Sequence, residues 1–211
     1  MITTEKEIKL DLHTEKNYLT LLESLDKIKS QKKLDNYFFD TKDWSLSKSG
    51  WALRIRREED SAVITAKGPV ESAPNELTVR PEIEKTLAPD SCPVFINEGM
   101  NLSNLPEEIA RSIKDTIDNK RLELKLSFTT LRTAIEYHGH GMILLLEIDK
   151  TTFPDRSVDY ELEVELSDAA RFEKTMIIIS ELFERLHISM IFQKESKFAR
   201  ALRKIGHNSG V

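Results

Sequence analysis

The feature that most constrains the fold of this chain is a two-residue alternation of charge along one short segment after another. In TEKEIKL, Glu5, Glu7 and Lys9 alternate with Lys6, Ile8 and Leu10. A strand points alternate side chains to one face, so two carboxylates and an ammonium project the same way. The pattern returns in WALRIRRE with Arg54 and Arg56, in TVRPEIEK with Arg80, Glu82 and Glu84, and in DYELEVEL with Asp159, Glu161, Glu163 and Glu165. Within these rows the charges are sorted by sign, whereas a surface tuned only for solubility intersperses both. Like charges two apart on a strand sit roughly 7 Å from each other, so the acidic row repels itself and calls for a cation. The arginine pair calls for an anion. The rows therefore predict opposed anion and cation sites on β structure.

Strand-like runs cover 6–12, 34–40, 52–58, 62–66, 75–87, 122–131, 133–138, 142–152 and 158–166, enough to close an antiparallel barrel. The HGHG stretch at 138–141 reads as a hairpin turn rather than a metal site, because no third ligand accompanies His138 and His140. Helical periodicity marks 15–29, 105–119 and 167–186, with Thr14 and Ser167 as N-caps, and these helices are expected to cover the outside of the barrel. The last segment, 194–204, reads as a basic helix with a solvated face, and the tail at 206–211 as frayed. A single domain over 1–205 follows from 211 residues without a repeat or low-complexity tract.

The composition is 32% charged and 39% hydrophobic, richer in charge than the roughly 25% of ordinary domains yet too apolar for disorder. A net charge of −5 argues against nucleic acid and anionic membranes as partners. Cys92 is the only cysteine, which excludes an intrachain disulfide and a thiolate metal site. With no signal-peptide core and no long apolar run, the expected location is the cytoplasm. GxxxxGK[ST] and HExxH motifs are absent, leaving the standard phosphate-loop and zinc-protease mechanisms without support.

Taken in order, these motifs resemble the CYTH superfamily, the triphosphate tunnel metalloenzymes. The resemblance is carried by ExExK at Glu5, Glu7 and Lys9, NYFFDT followed by LSKSGWALRIRRE, Lys67 in ITAKGP, RxExE at Arg80, Glu82 and Glu84, Arg132, Asp149 in LEID, the ExE pair Glu163 and Glu165, and SKFARAL from Ser196. It implies an α+β fold, an eight-stranded antiparallel barrel around a charged tunnel with helices packed outside. It further implies that Lys9, Arg54, Arg56, Lys67, Arg80, Arg132 and Lys197 hold phosphate oxygens. Glu5, Glu7, Glu82, Glu84, Asp149, Glu163 and Glu165 would hold Mg2+ or Mn2+, with Glu5, Glu163 and Glu165 positioning the attacking water. The motif style is closest to bacterial inorganic triphosphatases, implying hydrolysis of tripolyphosphate to pyrophosphate and phosphate. Thiamine triphosphatase and class IV adenylate cyclase activities are the alternatives within the superfamily, and a non-catalytic polyphosphate- or nucleotide-binding module is the alternative of another class.

Two departures stand out. Some tunnel enzymes carry a lysine where this chain has Thr130, a contact that Lys85 or Lys125 would have to replace. Glu161 and Glu147 alternate in step with the tunnel acids, and their roles stay open at this level. Trp44 and Trp51, near Arg54, are candidates to stack on an organic ring, but a lid or core position is the preferred reading.

Overall fold

The structure, a computed structural model, describes residues 2–59, 61–71, 76–88 and 90–206. Among them, eight antiparallel strands close into a barrel in the order β1-β5-β4-β3-β2-β6-β7-β8. The strands are β1 (Thr3–Asp11), β2 (Ile28–Thr41), β3 (Ala52–Glu58), β4 (Ser61–Lys67), β5 (Thr78–Leu87), β6 (Leu122–Gly139), β7 (Met142–Thr152) and β8 (Val158–Glu165). Six helices accompany them: α1 (Glu15–Glu23), α2 (Ser45–Lys48), α3 (Ser91–Glu98), α4 (Glu107–Ile117), α5 (Phe172–Arg185) and α6 (Lys197–Lys204). The antiparallel barrel expected from the strand-like runs, and the α+β eight-stranded form implied by the family resemblance, are the observed fold.

Both faces of the strands are covered, and the two larger apolar clusters lie outside the barrel wall. On β1, Ile8 and Leu10 point outward and are fully buried beneath α1 and α5, packed with Leu21, Ile179, Leu182 and Phe183. A second cluster joins Leu53, Ile55, Ile64 and Ile83 to Ile109, Ile113 and Ile117 of α4. Burying a side chain of this size contributes about 1.5–3 kcal/mol, so the wall is held mainly from its outer side. Its inner face is thereby free to carry charge.

Several boundaries differ from the sequence expectation. The runs at 122–131 and 133–138 are one strand, β6, because nothing between Leu131 and Thr133 interrupts a continuous ladder to β2. The helix expected over 15–29 ends at Glu23, and residues from Ile28 onward pair with β6 as the start of β2. Thr14 caps α1 by accepting from Asn17 N at 3.1 Å. Ser167 is not a cap; Asp168 accepts from Ala170 N at 3.0 Å and opens a single 3-10 turn ahead of α5. The short helices α2 and α3 were not anticipated. Asp40 builds α2 by accepting from the backbone N–H groups of Leu46 and Ser47, both at 2.9 Å. The hairpin turn expected over 138–141 is confined to His140 and Gly141, with φ of 49° and 72°, because His138 and Gly139 still pair with β7 as the end of β6. The strand run expected from residue 75 begins at Thr78, with 75 outside the described residues, as is the tail beyond Gly206.

The helix α6 does not join the outer layer. Residues 191–193 run beside the end of β1, where Asp11 N donates to Ile191 O at 2.8 Å and Gln193 N to Lys9 O at 2.9 Å. Ser196 then caps α6 by accepting from Ala199 N at 3.1 Å. The helix that looked solvated buries Arg200, Ala201 and Leu202, and its first turn faces the lumen. No helix of the described residues is long and apolar enough to cross a membrane.

Candidate functional site: a charged lumen

The strand order fixes which charges face each other. β3 and β8 are four strands apart in either direction around the closed barrel, so Arg54 and Arg56 on β3 lie across the lumen from the acidic row of β8. By the same count β4 and β7 oppose each other, setting Lys67 against Glu147 and Asp149. The lumen is a cavity of about 220 Å³. Every residue assigned above to phosphate or metal lines it, including Lys9, Lys67, Arg80 and Lys197 among the cations and Glu5, Glu7, Glu82, Glu84, Asp149, Glu163 and Glu165 among the acids.

Register explains how so much charge is tolerated. Opposite charges sit directly across from each other at Glu5↔Arg80, Lys67↔Glu82, Lys9↔Glu163 and Arg132↔Asp149, pairings that stabilise a sheet. Arg80 Nε donates to Glu5 Oε2 at 2.6 Å, and Lys67 is hydrogen-bonded to the other Glu5 oxygen. Burial opposes ionisation of Glu5, but Lys67 and Arg80 outweigh it and hold the carboxyl at about 2. Arg132 grips Asp149 with two nitrogens, Nε to Oδ1 at 2.8 Å and Nη2 to Oδ2 at 2.6 Å, and also reaches Glu147 and Glu163. Burial works against the Arg132 charge, and these carboxylates, led by Asp149, hold its pKa well above the usual range.

Two arginines are treated differently. Arg54 and Arg56 make no ion pair among the described residues. Arg56 Nε donates only to Asn36 Oδ1 at 3.4 Å, and Arg54 Nη2 only to Thr65 Oγ1 at 3.4 Å. Arg54 Nε is buried without a hydrogen-bond partner. Burial first, and then the neighbouring Arg56, push Arg54 down to about 9, which still leaves it charged at neutral pH. Two adjacent guanidiniums left without carboxylates in a lumen otherwise full of them have donors to spare for an anion rich in oxygens.

The acids show a matching surplus. Glu7 faces Glu165 directly across the β1–β8 ladder, and Glu147 faces Glu163 across β7–β8, both like-charge pairs that destabilise a sheet when uncompensated. Glu165 makes no ion pair among the described residues; burial and the approach of Glu5, Glu82 and Glu147 raise its pKa. Glu147 is raised too, chiefly by burial. Glu5, Glu7, Glu82 and Glu165 line the lumen on the adjoining strands β8, β1 and β5 and carry carboxylate oxygens, the ligand type a hard divalent cation takes. Their counterions are Lys9, Lys67 and Arg80, one charge short of neutrality.

The remaining candidates sort cleanly. Lys85 pairs with Glu108 at 2.6 Å and Lys125 lies over the Trp44 ring at 5.2 Å, both away from the lumen, so neither replaces the lysine absent at position 130. Thr130 does line the lumen, sharing a 3.0 Å hydrogen bond with Thr151 Oγ1. Neither tryptophan lines it; Trp51 packs on the outer cluster and Trp44 on Phe38 and its neighbours. Glu147 belongs to the lumen wall, whereas Glu161 is 3% exposed and held between Lys197 and Arg200. Asn36, Phe38, Phe128 and Phe198 line the cavity and were not anticipated. Phe198 of α6 stacks on Phe38 with centroids 4.6 Å apart, extending the Phe38–Phe128 stack between β2 and β6 into a three-ring patch.

Known structures share this architecture. The Hippeastrum protein HpAC1, described as an adenylyl cyclase candidate with a dominant triphosphatase activity, superposes with a TM-score of 0.82 at 23% identity over 97% of both chains. An adenylate cyclase candidate from Bacillus halodurans gives 0.71 at 24% identity, covering 93% of this chain and 97% of its own. The PH1819 protein of Pyrococcus horikoshii gives 0.62 at 16%, covering 94% and 99%. At these identities the likeness establishes the fold. No curated protein sequence matches the chain. Residues 3–201 match the CYTH domain, nearly the whole chain, and with the closed barrel and its charged lumen this identifies the chain as a member of the CYTH family.

Proposed function

We propose that the chain is a divalent-metal-dependent triphosphatase that cleaves the terminal phosphoanhydride of a small triphosphate, with inorganic tripolyphosphate as substrate. The observation that carries this reading is the pair Arg54 and Arg56, facing the lumen without carboxylate partners opposite the β8 acids. Guanidinium forks match phosphate oxygens bidentately and fix orientation as well as charge. The dominant triphosphatase activity stated for HpAC1, which has the same fold, agrees with this reading. An inorganic substrate is favoured because neither tryptophan reaches the lumen and the aromatic rings that do are already stacked on one another.

In this mechanism Arg54 and Arg56 hold the substrate across the lumen from β8, placing a phosphorus toward the acids. Glu5, Glu7, Glu82 and Glu165 would hold Mg2+ or Mn2+, with Glu84 at the exposed rim of the same wall. Bound there, such an ion would offset charge on phosphate oxygens and lower the pKa of a bound water. Glu165, which makes no ion pair among the described residues, orients the attacking water and takes its proton. Glu5 and Glu163, each held by two cations, keep Lys67, Arg80, Arg132 and Lys197 in register around the substrate. Positioning and electrostatics supply the rest, as phosphoryl transfer requires.

The test is phosphate release from tripolyphosphate, thiamine triphosphate and ATP in parallel, with Mg2+, Mn2+ and EDTA, and with cyclic AMP assayed in the ATP samples. Metal-dependent cleavage led by tripolyphosphate is expected. Cyclic AMP as the main product would replace the reading with a cyclase. Binding without turnover, seen as a thermal shift with tripolyphosphate, would replace it with a binding module.

A further inference from the structure

A second acidic group, reaching from the lumen wall at Asp149 and Glu163 to the buried Glu161 behind it, has a different fate. Asp149, Glu161 and Glu163 each offer a carboxylate oxygen, and the three oxygens lie within 4.8 Å of one another, the arrangement a cation would use. An ammonium already stands there. Lys197 Nζ, carried in by the first turn of α6, is 2.9 Å from Asp149 Oδ2 and 2.9 Å from Glu163 Oε1, and is paired with Glu161 Oε1 as well. Arg132 binds Asp149 and Glu163 from the β6 side, and Arg200 binds Glu161. Three carboxylates thus meet three fixed cations.

We infer that the Lys197 ammonium occupies a second cation position of the lumen, standing in for a divalent ion and closing the Asp149–Glu161–Glu163 group to metal. The inference rests on the metal reading above, and adds that only the Glu5–Glu7–Glu82–Glu165 group is open to an ion. It departs from the roles implied by family resemblance, in which Lys197 holds phosphate while Asp149 and Glu163 hold metal. A divalent ion entering this group would have to displace a buried ammonium from three oxygens, leaving that charge desolvated and unpaired. Arg200 is the positioning residue that makes the arrangement rigid. It is 3% exposed, does not line the lumen, and ties α6 down through Asp159 Oδ2 at 3.0 Å and the Glu195 carbonyl at 2.8 Å, besides Glu161.

Counting bound Mn2+ by calorimetry and electron paramagnetic resonance, without substrate, tests this directly. Wild-type protein is expected to bind one ion per chain. Lys197→Met keeps the bulk of the side chain but removes the charge, leaving three carboxylates against two guanidiniums, and should bind two. Adding Glu161→Gln to that variant should weaken the new site while leaving the first unchanged. Two ions in the wild type, or one in both proteins, would overturn the inference. No ion in the wild type but one in Lys197→Met would keep it and remove the metal from the function proposed above. Mn2+-soaked crystals of the wild type depend on no variant folding: anomalous density is expected beside Glu165, and density among Asp149, Glu161 and Glu163 would overturn the inference.

Discussion

Arg54 and Arg132 are both buried in the same lumen, yet they do opposite things. Arg132, together with Lys197, is saturated by Asp149, Glu147, Glu161 and Glu163. Arg54, with Arg56 beside it, has only a hydroxyl at 3.4 Å and a nitrogen with no partner. A count of positive charge would rate the two regions equally as phosphate sites. The hydrogen bonds separate them: one set of cations holds the barrel together, and the other is left for a ligand. The same division runs through the acids, where Glu163 is held by Lys197 and Arg132 while Glu165 makes no ion pair among the described residues.

The largest effect expected from this contrast is on stability. Arg132→Met strands Asp149, Glu147 and Glu163 with fewer counterions, and breaking a buried pair from one side costs about 3–5 kcal/mol. Denaturant unfolding should register that loss. A variant as stable as the parent would break the comparison, because Arg132 would then be no more committed than Arg54.

Next comes Glu165→Gln, which should lower kcat for tripolyphosphate at least about 100-fold, the smaller end of what a proton-accepting group contributes. Stability should hold or rise, since the substitution relieves the repulsion across Glu7↔Glu165. Unchanged kcat in a folded variant would remove Glu165 from the site. Arg54→Met should follow with a rise in KM of about 10- to 100-fold, the worth of one or two charge-assisted hydrogen bonds. Its melting temperature should not fall, because no carboxylate is stranded. A drop in stability like that of Arg132→Met, with KM intact, would make Arg54 structural and erase the distinction between the two arginines.

How much of this was legible in the sequence follows from the reach of a two-residue period. Glu5, Glu7, Arg54, Arg56, Glu82, Glu163 and Glu165 all sit on strands whose alternation names the inner face, and all line the lumen. The period cannot report which cation is neutralised, because the partners of Arg132 lie 15, 17 and 31 residues away. Asn36 and Phe38 alternate correctly within NYFFDT but carry no charge to draw attention. Lys197 and Arg200 are three apart on a helix, so they leave no strand signal; one reaches the lumen and the other locks Glu161 only because residues 191–193 lie beside β1. The outer helices were legible as apolar stripes, whereas α2 depends on Asp40, whose capping role is set by tertiary approach.

The smallest expected effect concerns Lys85, one of the two candidates, with Lys125, to replace a lysine at position 130. Its ammonium pairs with Glu108 at 2.6 Å on the outer side of β5, where both side chains are about one-third or more exposed. An exposed pair of this kind contributes roughly 0–1 kcal/mol, so Lys85→Ala should shift stability by no more than that and leave KM for tripolyphosphate unchanged. Thr130 instead spends its hydroxyl on Thr151, and the lumen makes up the charge elsewhere with Arg54 and Arg56. A raised KM in Lys85→Ala would mean that β5 can turn this side chain inward. The line between committed and open cations would then depend on motion of β5 rather than on the register of its strands.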